Sequence, residues 1–116
     1  MRHRNKIKTL DRKKQPRELM LRNLTSSIVI YEKVKTTEAK AKVVRSMVEK
    51  AITISKVGDL TARRKLLALL PQKMAVKKLM EVLGEKYKDR KGGYTRIIKL
   101  GSRQGDGAEM VQIELV

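Results

Sequence analysis

Apolar residues in this chain keep one spacing up to about residue 84 and another after residue 94, and that change of period constrains the fold most. Met20, Leu24 and Ile28, then Val44, Val48, Ala51 and Ile52, recur every three to four positions, as one helix face requires. In the closing EMVQIELV, Val111, Ile113 and Leu115 alternate with Gln112 and Glu114, as a half-buried strand requires. Helices first and strands last predict an α+β domain.

Punctuating residues divide the runs. Pro16 suits the first turn of a helix of about four turns that carries Met20, Leu24, Ile28 and Tyr31 on one face. YEKVKT then reads as a short edge strand whose Lys33 and Lys35 discourage stray pairing. Thr37 can cap a second helix, and Glu38 suits its positive end. Val44, Met47, Val48, Ala51 and Ile52 form its buried stripe, Lys40, Lys42 and Arg45 stay outside, and Gly58 stops it. Asp59 caps a third helix, LTARRKLLALL, which Pro71 ends. A fourth carries Val76, Leu79, Met80 and Leu83, with Gly84 closing it. After the turn-rich EKYKDRKGG, YTRIIKL and EMVQIELV form two strands around the hairpin loop GSRQGDG. The expected order is helix, strand, three helices, strand, strand, with the helices on one face of a small mixed sheet. Residues 16–116 make a single domain; splitting 116 residues into two would leave each core marginal.

Charge narrows the partner. The chain has 29 Lys and Arg against 12 Asp and Glu, a net charge of +17. That much self-repulsion opposes compaction unless a polyanion neutralises it, which points to nucleic acid. Residues 1–15 hold Arg2, His3, Arg4, Lys6, Lys8, Arg12, Lys13 and Lys14 against Asp11 alone, with no apolar period. They read as a basic arm that orders on RNA. Only three aromatic residues occur, Tyr31, Tyr87 and Tyr94, and the core needs part of them. Recognition through phosphates, sugars and shape therefore fits better than base stacking.

Other chemistries lack their residues. There is no cysteine, and His3 alone cannot build a zinc site. GSRQGDG lacks the lysine and hydroxyl of a P-loop, and a strand follows it where a helix is needed. Asp11, Asp59, Asp89 and Asp106 fall in separate segments, with Asp59 a cap and Asp106 a turn former, so no acid–base or metal constellation is expected. The reading is not an enzyme, with no cofactor and no small-molecule substrate. No apolar run approaches the ~20 residues that span a bilayer, so no membrane partner is expected and the cytoplasm is the default location.

The remaining candidates are cations. Arg63, Arg64 and Lys65 cluster, as do Lys77 and Lys78, and Lys86, Lys88, Arg90 and Lys91. Arg17, Arg22, Arg96 and Arg103 stand singly, and guanidinium forks match phosphate geometry. Gly92 and Gly93 can bring bare N–H groups close to a phosphate or simply form a turn.

Several stretches, in order along the whole chain, resemble the L-seventeen family of bacterial large-subunit ribosomal proteins. They are MRHR, RNL at 22–24, KTT followed by AKAK at 35–42, GGYTRI at 92–97, and GDGA with a terminal IELV. The resemblance implies a small α+β domain with a basic arm that binds large-subunit ribosomal RNA, stabilises its structure, adjoins other ribosomal proteins and catalyses nothing. Its motifs add Asn23, Lys35, Lys40, Lys42 and Tyr94 to the RNA-binding candidates. The chain departs from the family at Gln15-Pro16-Arg17, where Ser-His-Arg is common, and at Gln104 and Glu109 in the closing loop. The alternative reading is a free DNA-binding architectural protein, for which no recognition helix or apolar wedge is evident.

Overall fold

Leu10 and residues 13–116 are described by the structure, a computed structural model. Helix α1 (Lys14–Tyr31) starts two residues before Pro16, which therefore sits inside the first turn, where its missing N–H leaves no bond unmade. Its buried face is turned by about one residue from the expected stripe. Leu21, Thr25, Ser26, Ile28 and Val29 are buried, while Tyr31 is 70% exposed. The turn is possible because Thr25 hides its own polarity: its hydroxyl donates to the Leu21 carbonyl at 2.8 Å.

Glu32 ends α1 in the left-handed conformation, φ 65°, and β1 (Lys33–Thr37) follows at once. Helix α2 (Glu38–Val57) buries Ala41, Val44, Val48, Ala51 and Ile52, and Gly58, φ 75°, turns the chain out of it. Asp59 caps α3 (Leu60–Leu69) by accepting from the Ala62 N–H at 2.7 Å, and Leu70, extended before Pro71, ends it. The next helix departs from expectation. Helix α4 (Lys73–Lys78) runs through a π-helical turn (Leu79–Leu83) into α5 (Gly84–Lys86), so Gly84 does not close a helix. It lies inside one, right-handed, with its N–H on the Leu79 carbonyl five residues back.

Strands β2 (Thr95–Ser102) and β3 (Glu109–Leu115) form the hairpin. The sheet order is β1-β3-β2, with β3 antiparallel to both neighbours. The expected mixed sheet is thus corrected to an antiparallel one. The short β2–β3 loop forces those two strands to oppose each other, and β1 meets β3 in the opposite sense as well. Helices α1 and α2 pack on the β3 face that carries Val111, Ile113 and Leu115. With Ile28, Val44, Val48, Ile52, Leu66, Leu79 and Leu83 these form one core. Each such side chain contributes about 1.5–3 kcal/mol by leaving water. The opposite sheet face is left to solvent by the described elements.

Candidate nucleic-acid interface

Arg2, His3, Arg4, Lys6, Lys8 and Arg12 lie outside the described residues. Just beyond them, Lys13 precedes the first turn of α1, Lys14 opens it and Arg17 follows, with no acidic residue in that turn. Cations at the positive end of a helix dipole raise the potential there and favour an anion. Further along α1, Arg22 and Asn23 are exposed beside Leu19, so the same helix offers cations at its start and on its outer face.

On α2, Lys40 is half-buried and Lys42 is exposed but tied to Glu38 at 3.1 Å, one turn away. Arg45 and Lys50, also exposed on α2, make no ion pair with a described residue. Arg45 lies one turn from Lys42 on the same side of the helix, whereas Lys50 is turned about 140° away from Arg45. Arg63 is half-buried and Arg64 exposed on α3, neither paired among the described residues. Adjacent helical positions point about 100° apart, so the run of basic letters is two directions rather than one patch.

Two of the sequence clusters are partly structural. Lys78 donates to the Ile30 carbonyl at 2.9 Å, closing the end of α1, and lies 3.8 Å from Glu32. Lys86 reaches the same carboxylate at 3.9 Å. Arg90 donates through Nε to the Gly93 carbonyl at 3.2 Å, and Lys56 Nζ donates to the Arg90 carbonyl and to the Tyr94 hydroxyl. The glycine pair inside this turn needs its glycines, since Gly92 has φ 97° and Gly93 φ 63°. Tyr94 is buried, its ring edge-on to Tyr87 at 5.2 Å, so it belongs to the core and braces the turn from behind. The Lys56 ammonium stabilises its phenolate and holds its pKa below the ordinary value, against the opposing effect of burial.

The sheet end gathers the rest. Register places Lys33 and Arg96 on either side of Glu114, and Lys35 and Ile98 on either side of Gln112. Arg96 Nε donates to Glu114 at 3.2 Å. In the hairpin loop both Arg103 and Asp106 are committed: two guanidinium nitrogens donate to the two carboxylate oxygens. That contact, helped by the Ala108 N–H, lowers the Asp106 pKa to about 2 and raises that of Arg103. Beside it, a depression of about 390 Å³ lined by Thr37, Glu38, Ala39, Lys42, Ala108 and Glu109 sets two carboxylates against one lysine, which does not suit a phosphate.

A pattern emerges from these partners. Glu32, Glu38, Asp106 and Glu114 each engage a cation, and Asp59 caps a helix. Lys13, Lys14, Arg17, Arg22, Lys33, Lys35, Arg45, Lys50 and Arg64 are exposed or half-exposed cations with no side-chain bond to a described residue. Among the described residues no three His, Cys, Asp or Glu gather as a metal site, and no helix is long and apolar enough to cross a membrane.

The family model described as ribosomal protein L17 matches residues 20–116. A large ribosomal subunit protein bL17 from Thermoanaerobacter sp. (strain X514) is 55% identical over 107 residues, 92% of this chain and 96% of its own. The bL17 of Pelobacter propionicus is 50% identical over 116 residues, 100% of this chain and 91% of its own. That of Desulfitobacterium hafniense (strain Y51) is 55% identical over 97 residues, covering 84% and 87%.

Proposed function

The chain belongs to the ribosomal protein L17 family, and from that premise we propose that it is a structural constituent of the large ribosomal subunit in the cytoplasm. It binds and stabilises large-subunit ribosomal RNA through phosphate and shape contacts. The observation that carries this reading is an imbalance among charges: Glu32, Glu38, Asp106 and Glu114 each engage a cation within the fold, while Arg17, Arg22, Lys33, Lys35, Arg45 and Arg64 make no side-chain bond to a described residue. Phosphates are the partners such cations lack.

In this reading residues 1–15 form an arm that orders on RNA, and residues 16–116 are the body that holds it in place. Arg17 and Arg22 anchor the arm's exit. Arg96 and Arg103 dock the sheet end, and Gly92 and Gly93 let their backbone approach a phosphate. Other large-subunit proteins adjoin the body, and no chemistry is performed. The family match gives no support to the DNA-binding alternative.

The test is sedimentation of cell lysate from the native source through sucrose at high salt, with the protein detected by mass spectrometry. Persistence with the large subunit supports an arm threaded into folded RNA, because purely superficial charge contacts are screened there. Migration at the top of the gradient, even at low salt, overturns the reading. Removing residues 2–14 should also flatten the salt dependence of RNA binding, as fewer counterions are released.

A further inference from the structure

We propose that the open face of the sheet docks the minor groove of a double-stranded RNA segment, an inference that rests on the ribosomal reading and specifies which RNA geometry one surface takes. The strand register arranges this face in rows: Lys33–Glu114–Arg96, then Lys35–Gln112–Ile98, then Thr37–Met110–Gly101. Two lysines therefore stand on the β1 edge and one arginine, Arg96, on the β2 edge. The central strand presents an amide and a thioether, and its one carboxylate is already held by Arg96 at 3.2 Å and only 16% exposed.

That distribution complements a groove. Phosphates border a duplex groove on two sides, and in RNA the floor of the wide, shallow minor groove displays 2′-hydroxyls. The Gln112 amide can donate to and accept from such hydroxyls. Ile98, 41% exposed, offers an apolar surface to the ribose. Lys33 and Arg96 are separated by two strand spacings, about 10 Å, which exceeds the ~6 Å minor groove of B-form DNA.

Unpaired RNA is disfavoured by what this face lacks. None of the three strands carries an aromatic residue, Tyr87 and Tyr94 are buried behind them, and Tyr31 lies at the end of α1. Splayed bases would find no stacking platform.

The experiment measures fluorescence anisotropy of the full chain with three probes: a short blunt RNA duplex, the DNA duplex of the same sequence, and one RNA strand alone. The RNA duplex should bind about tenfold more tightly than either other probe, the equivalent of one or two net hydrogen bonds. Gln112→Val and Ile98→Ser should each erode that preference while leaving the salt slope unchanged. Lys33→Ala with Lys35→Ala should lower the slope, and Arg64→Ala should leave the preference intact. Thermal melts of both sheet variants separate lost recognition from lost folding. Equal affinity for the three probes overturns the inference. So does a preference that survives in both Gln112→Val and Ile98→Ser, which would assign the face to a protein neighbour. Either result with co-sedimentation preserved leaves the ribosomal reading standing, whereas loss of co-sedimentation removes that reading itself.

Discussion

The Cα of Gly84 rests against the carbonyl of Ser55: a Cβ built on it would stand 2.8 Å from the Ser55 oxygen and 3.1 Å from the Leu79 oxygen. Both obstacles are backbone, held by α2 and by the π-turn, so neither can step aside cheaply. Gly84→Ala should destabilise the fold by about 1–3 kcal/mol through overpacking, even though alanine is the better helix former by about 1 kcal/mol. Urea unfolding checks this, and a stabilised variant would mean that α2 and α5 do not approach so closely.

Ser26 makes the opposite prediction. Its Oγ is buried without a hydrogen-bond partner among the described residues, while Thr25 beside it bonds back to Leu21. Replacing Ser26 by Ala removes an unsatisfied hydroxyl and should raise stability by about 1 kcal/mol. A loss of stability on melting would reveal a partner for that hydroxyl.

Which face of α1 points inward was the part of the fold the sequence expressed least. Met20–Leu24–Ile28–Tyr31 and Leu21–Thr25–Ile28–Val29 are both helical stripes, and the less apolar one is buried. Counting apolar letters cannot see the Thr25 back-bond that makes this acceptable. Gly84 departs from expectation for a similar reason: glycine serves both as a helix stop and as a place of close contact, and only the position of Ser55 decides between them. By contrast, Gly58, Asp59 and Pro71 act through their own backbone or side-chain chemistry, and their roles were legible. At the interface, residue type revealed the cations but not their engagements. That Lys78 and Lys86 answer to Glu32, or Arg103 to Asp106, depends on partners brought near by the fold or the loop.

The Arg103–Asp106 contact should be visible in a pH titration. Arg103 holds the Asp106 pKa at about 2 against an ordinary 3.8. A folded pKa below the unfolded one means that the stabilisation is complete above about pH 4 and is lost as pH falls through about 2. Following the Asp106 carboxyl carbon by NMR should give that low midpoint, and Arg103→Ala should return it towards the ordinary value.

The same contact restrains Arg103 from phosphates. Asp106→Asn releases the guanidinium, retains an acceptor for the Ala108 N–H, and should strengthen RNA binding while steepening its salt slope by roughly one. Arg103→Ala should weaken binding. If neither variant changes the slope, Arg103 serves the loop alone.

Lys56 should behave as a brace. Lys56→Met removes its bonds to the Arg90 carbonyl and the Tyr94 hydroxyl and should cost about 1 kcal/mol. Ultraviolet titration should show Tyr94 ionising at higher pH in the variant, with Tyr94→Phe identifying the transition. Because the folded pKa is the lower one, this contribution to stability grows as pH rises through it.

Placing β3 between β1 and β2 also sets a timetable. Lys33 pairs with Glu114 across most of the chain, and β3 is made after every other described element. During synthesis the helices can form in sequence, but β1 waits with its hydrogen-bonding edge open until the central strand leaves the translating ribosome. Lysines on an open strand edge disfavour pairing with another chain, and β3 gives both β1 and β2 their partner.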